Sequence, residues 1–87
     1  MDEIPKSTGV YSFKDAKGAV LYIGKAANLR ERVKNHFQQP SYRDDLFIDR
    51  AIKIGYIETE SEIEALLLES RLIKQYEPKY NVICRVW

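Results

Sequence analysis

The sequence predicts an α+β domain, a small three-stranded antiparallel sheet flanked by helices. Three observations carry that class. Two β-rich runs, "GVYSF" and "AVLYIG", flank the turn-forming "DAKG". "NLRERVKNHF" and "SEIEALLLESRLIKQY" repeat apolar residues at helical spacing behind a capping residue. Between them "GYIET" has strand composition, and its place is beside the first hairpin.

In the hairpin, Gly18 is ready for the positive φ that a four-residue turn needs. With Lys14 and Ala19 as the last pair, Phe13 faces Val20 and Tyr11 faces Tyr22. Opposed residues on one sheet face have Cβ atoms about 4.5–5.5 Å apart, so this register brings the two phenols together.

The first helix starts at Asn28, a good N-cap, with Glu31 completing a box-like start. Leu29, Val33 and Phe37 form its inward stripe. Arg32 and His36, one turn apart, project from the edge of that stripe, near the core but outside it. Pro40 stops the helix. "RDDLFIDRAIKI" predicts a second short helix with Leu46, Phe47, Ala51 and Ile52 or Ile54 inward.

In the last helix Ser61 and Glu64 form a capping box. Its polar stripe is Glu64, Arg71 and Gln75. Glu69 projects almost opposite, among Ala65, Leu66, Leu72, Ile73 and Tyr76. A carboxylate on the inward side of an amphipathic helix requires a cation, a set of hydrogen bonds or a metal, because burying an unpaired charge is costly. "EPKYNV" leaves the helix at Pro78 for an extended tail. Tyr42, Tyr56, Tyr76 and Tyr80 read as packing residues.

Composition bounds the setting. The 87 residues, 45% hydrophobic, make one domain over 1–87 with a modest core. Cys84 is the only cysteine, which excludes a disulfide framework and a thiolate zinc site, and fits a reducing compartment. "MDEIPKSTG" is acidic and lacks the apolar stretch of a signal peptide, and no apolar run approaches the roughly 20 residues of a membrane span. The expected location is the cytoplasm, away from membranes. Net charge is only +1, but it is unevenly spread: residues 14–34 sum to +4, 41–69 to −5 and 70–87 to +3. A basic half beside an acidic half can present a phosphate-facing surface without an extreme pI.

The motifs now converge. "GVY" at 9–11 followed by "YIG" at 22–24 resembles the two-part motif of the GIY-YIG endonuclease family. "YIGKAANLRERVKNHF", "EALLLESRLIKQY" and "PKYNV" look like the N-terminal nuclease domain of UvrC-type excision-repair proteins. The resemblance runs from Gly9 to Val82. It implies the GIY-YIG fold, cleavage of DNA with Mg²⁺ or Mn²⁺, and a site of Tyr11, Tyr22, Lys25, Arg32, His36, Glu69 and Asn81. Glu69 would be the metal ligand. One carboxylate with several waters is how Mg²⁺ usually binds, substrate phosphate completing the shell. His36 departs from the pattern, since UvrC-type domains often have tyrosine there; both residues can hydrogen-bond a phosphate or pass a proton.

In phosphodiester hydrolysis, Arg32 would stabilise the charge gained by the non-bridging oxygens and the metal that of the leaving 3′ oxygen. A tyrosine with a pKa of about 10 becomes a useful base only under neighbouring positive charge, which Lys25, Arg32 and the metal would supply. Either Tyr11 or Tyr22 could take the proton, and Tyr22, beside Gly24 and Lys25, is favoured. Asn81 would tie the tail to the site and orient a ligand or water. Taken singly, most of these residues have ordinary structural roles, and their joint occurrence carries the reading. The competing classes are a non-catalytic nucleic-acid-binding module and a protein-interaction domain using the acidic middle. With no zinc finger or helix-turn-helix in the chain, target choice would come from a larger parent chain or other repair proteins.

Overall fold

The computed structural model describes residues 3–42 and 44–81. Strands β1 (Gly9–Lys14), β2 (Val20–Ala26) and β3 (Lys53–Glu58) form one antiparallel sheet in the order β2-β1-β3. Helix α1 (Leu29–Gln38) follows β2, and helix α2 (Glu62–Tyr76) follows β3. The predicted class is the observed one. No helix among the described residues is long and apolar enough to cross a membrane.

β1 is central, and both its faces are buried. Tyr11 and Phe13 enter a cluster with Leu29 and Val33 of α1, together with Ile4, Leu21, Phe47 and Tyr80. Val10 faces the other way and packs with Ile23, Ala65 and Ile73 beneath α2. The sheet thus separates a larger core on the α1 side from a smaller one under α2.

The hairpin register differs from expectation by two residues. Tyr11 pairs with Gly24 and Phe13 with Tyr22, whereas Lys14 pairs with Val20. Leu21 is the extra residue of a bulge, so Leu21 and Tyr22, though consecutive, both pack on the α1-side cluster. The turn is built by Asp15, whose Oδ1 accepts from the backbone of Lys17 and Ala19. Gly18 closes it at φ 86°. A shift of two residues preserves side-chain parity. The two tyrosines therefore still share a face, now as diagonal neighbours with ring centroids 6.4 Å apart.

Both predicted caps form: Asn28 accepts from the backbone of Glu31, and Ser61 from that of Glu64. The predicted helix over 43–54 is replaced by two 3₁₀ turns, Asp44–Leu46 and Ile48–Arg50, after which β3 begins at Lys53. The backbone of Ile52 already donates to Lys14, so pairing with β1 captures the end of that apolar run. Phe47 is buried as expected, but Leu46 is 44% and Ile52 66% exposed. On α2, Ala65 and Ile73 are buried while Leu66 and Tyr76 face solvent.

The helix ends at Glu77, in the left-handed region at φ 44°. Pro78 and Tyr80 are buried, and residues 79–81 are helical where an extended tail was expected. The rest of that tail lies outside the described residues. Tyr80 packs as anticipated, whereas Tyr42 is 85% exposed and Tyr56 also stands in solvent.

Candidate active site

Helix α1 crosses the sheet face that carries Tyr11 and Tyr22, and the polar edge of the helix meets their phenols. Arg32, His36 and Tyr22 there line an open cleft of about 440 Å³, together with Asn35, Gln39, Ser41 and Asp44. Tyr22 is half-buried and its ring stacks on Phe47, centroids 5.1 Å apart and planes inclined by 13°. Tyr11 lies beneath, 1% exposed, and its Oη stands 2.6 Å from Nε2 of His36. Arg32 is solvent-exposed, lines the same cleft and couples electrostatically to the Tyr11 phenol.

His36 corrects the sequence reading. Expected outside the core, it is 5% exposed and packed among the rings of Tyr11, Phe13, Tyr22 and Phe47. What admits it is Asp44, whose Oδ1 lies 2.8 Å from Nδ1 of His36. The second carboxylate oxygen accepts from the backbone of Ser41, and the Ser41 hydroxyl accepts from the backbone of Asp44. In the sequence Asp44 is masked by the helical pattern over 43–54, which the structure replaces with a 3₁₀ turn. The available cue was Ser41-x-x-Asp44, a turn-capping pattern directly after Pro40.

Burial sets the protonation states. It pushes the Tyr11 phenol well above the ordinary tyrosine range, helped by the neighbouring Tyr22, with Arg32 pulling the other way. Burial also lowers the pKa of His36, while Asp44 opposes that shift. The Tyr11 phenol raises that of Arg32, keeping the guanidinium charged.

The other predicted residues lie outside the wall of this cleft. Lys25 is exposed and pairs with Val10, so strand alternation directs it to the α2 side of β2. Glu69 is half-buried on α2, one turn from buried Ala65 and one from buried Ile73, on the line packed against β1 and β2. Asn81 clamps the edge of β2: its Oδ1 accepts from the backbone of Ile23 and its Nδ2 donates to the Ile23 carbonyl, both at 2.8 Å. These bonds fix the segment after α2 between the positions of Tyr22 and Gly24. Among the described residues no three His, Cys, Asp or Glu side chains gather as a metal cage. The oxygen donors of the Glu69 carboxylate suit a hard cation with water in the rest of its shell better than a softer transition metal.

The UvrC-like GIY-YIG domain family matches residues 7–82. UvrABC system protein C of Methanospirillum hungatei is 49% identical over 81 residues, covering 91% of this chain and 16% of that protein. The Carboxydothermus hydrogenoformans protein of the same name is 45% identical over 85 residues, covering 94% and 14%. The chain thus spans a minor part of the length of these curated relatives. Among solved structures, the GIY-YIG N-terminal endonuclease domain of UvrC from Thermotoga maritima, bound to its catalytic divalent cation magnesium, superposes with a TM-score of 0.80. That match is 38% identical and covers 88% of this chain and 85% of the other. A point mutant of the same domain, also bound to its catalytic divalent cation, gives 0.81 at 38% identity, covering 88% and 84%.

Proposed function

The chain belongs to the UvrC-like GIY-YIG domain family, and from that premise we propose that it is a metal-dependent endonuclease domain hydrolysing phosphodiester bonds in DNA. The carrying observation is the convergence of Tyr11, Tyr22, Arg32 and His36 around one open polar cleft. Glu69 would hold the divalent cation, which would supply Lewis-acid stabilisation of the leaving 3′ oxygen. Arg32, charged and exposed at the cleft, binds the non-bridging phosphate oxygens and meets the charge they gain in the transition state. Tyr22 takes the proton of the attacking water, being the phenol that reaches the cleft. Tyr11, buried and held protonated, fits this role poorly and instead positions Arg32 and His36. Lys25 supplies positive charge near β2, and Asn81 holds the following segment on the strand that carries Tyr22.

The substrate is DNA, and its selection falls to a longer parent chain or separate repair proteins. Incubating labelled duplex, nicked and branched DNA with Mg²⁺ or Mn²⁺ tests this, beside the same reactions with Glu69→Ala. Cleavage by the wild type and none by the variant is expected. Equal cleavage by both removes the metal assignment.

A further inference from the structure

The pairing of Asp44 with His36 is more elaborate than core packing requires. Both groups are nearly inaccessible, 8% and 5% exposed, yet they line the cleft wall. Asp44 reaches Nδ1 of His36 and Nε2 of His36 reaches Tyr11, with the Arg32 guanidinium close enough to the Tyr11 phenol to couple to it electrostatically. The carboxylate end fixes the direction of both hydrogen bonds. A carboxylate only accepts and a guanidinium only donates. Nδ1–H therefore donates to Asp44, bare Nε2 accepts from the Tyr11 hydroxyl, and the lone pairs of Tyr11 are left for Arg32. With the imidazole proton on Nε2 instead, a bare Nδ1 would face the Asp44 carboxylate, acceptor against acceptor, and the Tyr11 hydroxyl would lose its acceptor.

We infer that Asp44 is a positioning residue for the reaction: through His36 and Tyr11 it orients the Arg32 guanidinium toward the scissile phosphate. This rests on the nuclease reading above. Asp44 touches no reacting atom. It acts by fixing a tautomer, and Ser41 fixes Asp44 by donating to its other oxygen at 2.9 Å. Asparagine cannot replace it fully, because His36 and Ser41 donate to different oxygens of Asp44 and an amide would turn its NH₂ toward one of these donors.

His36 is the only histidine, so imidazole ¹⁵N NMR of the untagged chain reports it alone. The metal-free, DNA-free wild type is expected to carry its proton on Nδ1 with Nε2 bare, a measurement that needs no variant to fold. Asp44→Asn should move the proton toward Nε2 and lower kcat for DNA cleavage by about 10- to 100-fold, the range of one charged hydrogen bond, with little change in KM. A chain that cuts DNA but carries its proton on Nε2 overturns the role of Asp44 alone. A shifted tautomer with unchanged kcat does the same. A wild type with bare Nε2 that cuts no DNA overturns the nuclease reading, and this role with it.

Discussion

Gly24 lies opposite Tyr11 in the β1–β2 ladder, and the phenol lies over the point where a β-carbon at Gly24 would stand. The tyrosine of the first tripeptide and the glycine of the second are thus two halves of one contact. Tyr11 has nowhere else to go, because Phe13 and His36 stand against its ring with centroids 5.6 and 5.3 Å away.

Gly24→Ala should therefore destabilise the fold by about 1–3 kcal/mol, the usual cost of overpacking. It should also abolish DNA cleavage by displacing the Tyr11–His36 bond. Urea denaturation and a cleavage assay check the two effects. A fully stable, fully active variant would show that the ring does not occupy that place.

Glu69→Gln keeps the size of the side chain and removes its charge. Since Glu69 is exposed in part, the fold should survive, with a circular dichroism spectrum like that of the wild type. Cleavage should be lost at every Mg²⁺ concentration tested. Wild-type rates at limiting Mg²⁺ would assign the cation to another group.

What the sequence made legible follows from how local each cause is. The caps at Asn28 and Ser61 depend on residues three apart, and both form. The common face of Tyr11 and Tyr22 depends only on strand parity and survives a two-residue error in register. The error came from the bulge at Leu21, which no alternation pattern reveals. Asp44 was missed for a related reason. Its link to His36 spans eight residues across a helix end and a 3₁₀ turn, where periodicity carries no information. The burial of His36 depends on that link.

DNA affinity should report on which face the duplex lies. Lys25 points to the α2 side of the sheet, while Lys34 is exposed on α1. Each lost phosphate contact should flatten the slope of log affinity against log salt by about 0.9 for duplex DNA. Lys25→Glu and Lys34→Glu, measured separately, are each expected to flatten it by about one such step. An unchanged slope for either variant takes its face out of the interface.

Stability should fall at both ends of the pH range, for opposite reasons. The pKa of His36 is lowered on folding by burial, against Asp44 and together with Arg32, so the unfolded chain binds the proton more readily. Its contribution is full above the unfolded value of about 6.5 and is lost as pH falls from there toward the folded value. The pKa of Tyr11 is raised, again first by burial, so its contribution is full below about 10 and declines as pH rises beyond it. Urea midpoints across pH should show both limbs, and Tyr11→Phe should flatten the alkaline one. A flat profile above pH 10 in the wild type would contradict the burial of the phenol.

The two tyrosines should separate by kind of defect. Tyr22→Phe keeps the ring stacked on Phe47 while removing the hydroxyl that reaches the cleft. Loss of a general base typically lowers a rate by about 10²–10⁴, and that loss is expected here with stability close to wild type. Tyr11→Phe deletes the donor to Nε2 of His36 in a buried setting, leaving an acceptor without a partner at a cost of about 1–3 kcal/mol. It should be less stable and, with Arg32 less well held, slower. The rate profiles distinguish the roles further: the rise of cleavage with pH should persist in Tyr11→Phe and vanish in Tyr22→Phe. If the rise vanishes only in Tyr11→Phe, the buried phenol is the base despite its surroundings. Near wild-type rates in both would leave the two rings with packing alone.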